Sequence, residues 1–178
     1  MKNQVKRWSK FVGVLLVCAA GTAFAHEKSF PTKQLAALTP EGISVTFKEL
    51  SVRPDNEKLA IFEKEHGISF TKGELAGNLF VGTSHDKKAQ IVVVFLDGKS
   101  DRGETEFGAA INTKGRVAKV SVFSSPESAA SKDFLSTLVD KDASDLQKLK
   151  LEFVKEPSKK FLVELTLKAV GRVSSSFK

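Results

Sequence analysis

Hydrophobic and polar residues nearly alternate through residues 43–50, where Ile43, Val45, Phe47 and Glu49 interleave with Ser44, Thr46, Lys48 and Leu50. A period of two marks a half-buried strand. Upstream, Leu35 and Leu38 lie three apart within residues 30–38, which suits a short helix broken by Thr39-Pro40-Glu41-Gly42. Downstream, Pro54-Asp55-Asn56-Glu57 opens a second helix, with an Asp or Asn cap and an early acid that favours the helix dipole. Leu59, Phe62 and Ile61 are the candidates for its buried face, and Gly67 after His66 suits a left-handed terminator.

Strand-like runs follow at 75–82, 89–96, 104–112 and 116–123. Turn chemistry separates them: Ser84-His85-Asp86, then Asp97-Gly98-Lys99, then Asn112-Thr113-Lys114-Gly115. The last pair is the clearest hairpin. Residues 91–96 are almost wholly apolar, which places them mid-sheet and makes Phe95 a core residue. Past Ser124-Ser125-Pro126 the pattern turns helical: Phe134, Leu135 and Leu138, then Leu146, Leu149 and Leu151. Pro157-Ser158 leads into a final helix carrying Phe161, Leu162, Leu165, Ala169, Val170 and Val173. The expected fold is α+β: a single domain over residues 43–178, an antiparallel sheet flanked by helices, preceded by an N-terminal segment at 26–42.

The first 25 residues set the compartment. Lys2, Lys6, Arg7 and Lys10 precede an apolar run from Phe11 to Ala20, which closes in Ala23-Phe24-Ala25 before His26-Glu27. That is the layout of a cleaved signal peptide, too short for a comfortable membrane span, and it predicts export to a bacterial periplasm with no transmembrane segment left after cleavage. The alternatives are an uncleaved anchor and lipid attachment at Cys18, the latter opposed by the bulky Val17 before it.

Removing the leader changes the chemistry. Four of the 28 cations leave with it and none of the 21 acids does, so 24 cations face 21 acids and the net charge falls from +7 to +3. The remaining lysines are interspersed with acids, which points away from nucleic acid. Cys18 and Trp8 also leave, and the chain has no Tyr. No thiol, disulfide or thiolate metal site remains. The lack of Trp and Tyr counts against a sugar-stacking module.

Candidate chemistry is sparse. His26 at a new N-terminus joins an α-amine to an imidazole, a pair able to chelate copper, but the spacing of His66 and His85 calls for no metal site. His66 reads as a helix C-terminal residue and His85 as a turn residue. No Gly-x-Ser-x-Gly elbow, Walker motif or dinucleotide fingerprint is present, and no catalytic residue is assigned. Glu104 and Glu106, two apart, share a strand face that is best taken as solvated. Ser174-Ser175-Ser176 reads as a fraying C-terminus.

Residues 107–123, Phe107-Gly108-Ala109-Ala110-Ile111-Asn112-Thr113-Lys114-Gly115 and the strand after it, resemble the central hairpin of the FMN-binding domain family, whose members include a flavin-carrying component of the sodium-translocating NADH:quinone reductases. In that family the hairpin leads to Glu-Thr-Pro-Gly. Here Glu127 matches the Glu, Ser128 stands in for the Thr, and Ala129-Ala130 replace Pro-Gly. Phe134-Leu135 resembles the start of the family's next helix. The family's flavin-bearing Ser-Gly-Ala-Thr segment can be matched in two ways. One puts Val173 at the acceptor Thr, with Gly171 on the motif Gly; the other puts Glu156 there, with Ser158 on the trailing Ser. The second keeps a helix after the motif. Both lack the acceptor hydroxyl.

The resemblance therefore implies non-covalent FMN or no cofactor, with Glu127, Ser128 and Ser158 as cofactor-binding candidates. It also implies electron transfer with a membrane-bound redox complex or another exported protein. A cofactor-free interaction or assembly domain that kept the fold is the alternative.

Overall fold

The computed structural model describes residues 30–86 and 88–177, so the leader, Cys18 and His26 lie outside the described residues. Five strands, β1 (Thr46–Leu50), β2 (Leu79–Thr83), β3 (Ala89–Ser100), β4 (Gly103–Asn112) and β5 (Val117–Ser124), form one antiparallel meander in chain order. The helices are α1 (Thr32–Leu38), α2 (Asn56–His66), α3 (Lys72–Ala76), α4 (Lys132–Ser136), α5 (Ala143–Glu152) and α6 (Pro157–Ser174), with a 3-10 turn, Phe153–Lys155, between the last two. This is the expected α+β domain. Among the described residues no helix is long and apolar enough to cross a membrane.

Both faces of the sheet are apolar, and each has its own helix. Alternation along β3 sends Val94 and Leu96 to one side and Ile91 and Val93 to the other. On the first side α6 lies across the strands, burying Leu162, Val163, Leu165 and Val170 against Phe107, Ala109 and Ile111. On the second, Leu35 and Leu38 of α1 cover Phe80 and Ala110. The 26–42 segment thus contributes to the core through two fully buried leucines. β3 is the middle strand, as its apolar run predicts.

Helix ends follow the local sequence. Asp55 caps α2 by accepting from Glu57 N (2.9 Å) and Lys58 N (3.1 Å), and Gly67 closes it at φ 56°. Pro157 starts α6, where its missing N–H costs nothing. The Asn112–Arg116 turn is held by Asn112 Oδ1, which accepts from Lys114 N (2.9 Å) and Arg116 N (3.0 Å), with Gly115 at φ 73°.

Several expectations are corrected. Asp97-Gly98-Lys99 is not a turn: β3 runs through it, and the reversal falls at residues 100–103. α6 packs tightly on Gly98, for a Cβ there would sit 2.7 Å from Leu165 and 2.9 Å from Phe161. Leu75 and Ala76 belong to α3, not to a strand, because Thr71 and Glu74 form a reciprocal capping box. Ile61 and Leu151 are exposed, since the buried stripes of their helices run through Leu59 and Leu146 instead. Phe95 is only half-buried: it faces the α1 side, against the rings of Phe80 and Phe123. The C-terminal serines are held rather than frayed: Ser174 is exposed but its hydroxyl donates to Val170 O at 2.8 Å. Ser175 is buried, and its carbonyl accepts from Asp55 N at 2.7 Å.

One cap carries a pH dependence. Asp142 starts α5, accepting from Asp145 N (3.0 Å) with Arg116 Nη2 at 3.3 Å. The amide bond, then the guanidinium, hold its carboxyl below the ordinary 3.8. A depressed folded pKa stabilises above the unfolded value and loses that contribution as the pH falls through the folded one. Asp142→Asn keeps a capping oxygen without the titration. Its melting temperature should therefore fall less steeply than the parent's below pH 3.8. Parallel curves would place the acid sensitivity elsewhere.

Candidate functional site

Three segments converge at one end of the sheet. The β3–β4 turn brings Arg102, the loop after β5 brings residues 125–131, and the start of α6 brings residues 156–159. Between them is an open groove of about 370 Å³, in the size range of small-molecule sites. Its walls are mixed: Arg102 and Lys159 are cationic, Ser128, Ser131 and Ser158 carry hydroxyls, Phe134 and Pro157 are apolar, and Glu156 is anionic.

Hydrogen bonds hold these segments together. Ala129 N donates to Ser158 Oγ at 3.0 Å, pinning the loop to the first turn of α6. Ser125 Oγ meets Thr105 Oγ1 at 2.7 Å and accepts from Glu127 N at 3.0 Å, fixing the loop to β4. Ser100 Oγ donates to Glu127 Oε1 and accepts from Arg102 N at 3.1 Å, which ties the turn to the same loop.

The structure brings Glu127, Ser128 and Ser158 together, with different duties. Ser128 is exposed on the groove wall. Ser158 also lines the groove, but it is 8% exposed and its oxygen is bonded to Ala129. Glu127 lies behind the wall with its side chain 2% exposed; Oε2 has no hydrogen-bond donor among the described residues, and Arg102 Nε sits 3.9 Å away. A carboxylate so placed needs a nearby positive charge, and Arg102 supplies it across the groove lip. Of the two motif matches, only the one on Ser158 is followed by a helix; Gly171 and Val173 lie inside α6, where Gly171 contacts the Phe62 ring.

Arg102, Ser131 and Lys159 carry no mark in the sequence that singles them out. Arg102 is obscured by the turn chemistry of Asp97-Gly98-Lys99 just before it, although Ser100-Asp101-Arg102-Gly103 is itself a good turn sequence. Lys159 Nζ pairs with Glu156 and stands 5.0 Å from the Phe153 ring centroid and 5.9 Å from that of Phe134. At the start of α6 Pro157 has no N–H, which leaves the Ser158 and Lys159 amides without a partner within their own helix, and the helix dipole adds partial positive charge at the groove.

A second depression, about 460 Å³, lies on the α1 side of the sheet and is lined by Asp97, Lys99, Glu104, Glu106 and Ser124. Asp97 and Glu106 are directly cross-strand, so two like charges face each other there without an apolar wall. The Glu104/Glu106 face is exposed, as expected. His66 packs against Phe62 with ring centroids 4.3 Å apart and the rings tilted by 50°, and His85 is exposed. Among the described residues no three His, Cys, Asp or Glu side chains are grouped to hold a metal ion. Compared with protein-family models, curated proteins and solved structures, the chain matches none of them.

Proposed function

We propose that the chain is an exported domain resembling the FMN-binding domains, with a non-covalent flavin mononucleotide site in the groove at the start of α6. One observation carries the reading. Ser128 and Ser158, named by the resemblance from two separate stretches of chain, line a single groove that also holds two cations, and Glu127 lies behind its wall. The donor set suits a phosphomonoester: a guanidinium, an ammonium, the Ser128 and Ser131 hydroxyls, and first-turn amides. Phe134 and Pro157 offer apolar surface to a ring system. Bound flavin would supply one- or two-electron transfer to a membrane redox complex or another exported protein.

Glu156, at the acceptor position, has no nucleophilic hydroxyl and is engaged with Lys159. A covalent phosphoester has no place to form there. Purified mature protein given FMN should turn yellow, and denaturation followed by filtration should send all the colour into the filtrate. Colour retained on the polypeptide would overturn the non-covalent reading. A colourless protein that leaves FMN fluorescence unchanged in titration would overturn flavin binding altogether.

A second reading, a cofactor-free interaction or assembly domain, is favoured by a specific feature. Ser158 and Glu127 are committed to bonds that fasten the loop to α6 and to the β3–β4 turn, which is a structural use of both residues. A colourless protein with no flavin response supports that reading.

A further inference from the structure

We propose that Arg102 is the specificity-determining residue of the groove: it clamps the phosphate of a phosphomonoester against the start of α6, and Glu156 restrains that binding. The inference rests on the groove being the ligand site, and not on the ligand being a flavin.

Two observations point to Arg102. First, its guanidinium is poorly used within the protein. Nη1 donates to Ser128 Oγ at 3.5 Å, the outer limit of a hydrogen bond, and Nε stands 3.9 Å from Glu127 Oε2, beyond that limit. A guanidinium has five N–H donors in a planar fork that matches phosphate oxygens. Here the fork sits on the groove lip, half exposed, with most of its donors unengaged among the described residues. Second, Arg102 lines the groove and Glu127, 3.9 Å from it and 2% exposed, does not, so an anion entering there is met by the guanidinium rather than the carboxylate. Lys159 lines the same groove from α6.

Glu156 opposes the same ligand. It lines the groove, makes no side-chain capping bond for α6, and holds Lys159 in an ion pair. An incoming phosphate competes with this carboxylate for the ammonium and is repelled by it. Removing the charge at 156 should therefore strengthen binding, a gain that misfolding does not produce.

The test is a titration of the full mature chain with FMN, riboflavin and phenyl phosphate, followed by flavin fluorescence and by amide and Arg Nε–H chemical shifts. FMN should bind more tightly than riboflavin. Arg102→Gln should weaken FMN by about tenfold or more, with riboflavin unchanged. Glu156→Gln should tighten FMN by about two- to fivefold. Because Arg102 neighbours a buried acid, Arg102→Lys serves as the second variant: it keeps the charge, loses the fork, and should lie between parent and Gln.

FMN binding that is indifferent to both Arg102 variants and to Glu156→Gln would overturn the inference while leaving the flavin reading in place. Phenyl phosphate binding that depends on Arg102, with neither flavin bound, would support the inference and remove the flavin reading. No response to any of the three probes would overturn both.

Discussion

Arg172→Leu should destabilise the protein by about 3–5 kcal/mol, much of the margin of a domain this size. Arg172 is 1% exposed in the last turn of α6, with no carboxylate paired to it among the described residues. Burial pushes its pKa below the usual guanidinium value, yet a guanidinium keeps its proton in a protein. Carbonyl oxygens balance the charge instead. Nη2 donates to Val52 O (2.7 Å), Leu75 O (3.1 Å) and Gly77 O (3.3 Å), and Nη1 donates to Ser176 Oγ (2.7 Å). One side chain thus fastens the segment before α2, the end of α3 and the C-terminus to α6. Leucine would fill part of the volume and leave the acceptors unpaired, at about 1–3 kcal/mol for each that water does not reach. Arg172→Lys should recover only part of the loss, since an ammonium lacks the fork. Urea unfolding of both variants checks this, and a leucine variant within about 1 kcal/mol of the parent would assign the carbonyls other partners.

Phe107→Ala should cost about 3–5 kcal/mol, and Phe95→Ala clearly less. Phe107 is 1% exposed on β4, paired across the ladder with Leu96 and Val122 and covered by α6. Truncation there leaves a cavity under the main helix. Phe95 belongs to the thinner α1 layer and keeps part of its surface in water. Melting should fall by about 10 °C for Phe107→Ala. A larger drop for Phe95→Ala would make the α1 face the principal core.

Local sequence carried most of the architecture. Period-two alternation, the Asn112–Gly115 turn, the Asp55 cap with Gly67, and Pro157 before an apolar 3.6-residue repeat each act within a few residues of themselves. The elements they predict are present, in an α+β domain with the apolar strand in the middle. The α3 capping box, Thr71 to Glu74, is a local signal that a strand over residues 75–82 passes over, but the error at Asp97-Gly98-Lys99 has a long-range cause. Asp97-Gly98-Lys99 has the composition of a turn, but β4 hydrogen bonds extend the ladder past it, and Phe161 and Leu165 of α6 press on Gly98 from far along the chain. Such a contact leaves no local mark.

The groove divides along the same line. Resemblance pointed to Glu127, Ser128 and Ser158 one residue at a time, while Arg102 and Lys159 gave no signal beyond being two cations among many. Their shared position depends on where the β3–β4 turn falls and how α6 lies across the sheet. Arg172 is the extreme case. A single arginine in a helix reads as a surface charge, and only the packing of α3, the residue-52 segment and the C-terminus around it makes it the buried tie of the fold. Sequence determined which elements form, because capping, turn chemistry and hydrophobic period are short-range. Tertiary structure decided which side chains share a site, because burial and charge balance depend on residues distant in the chain.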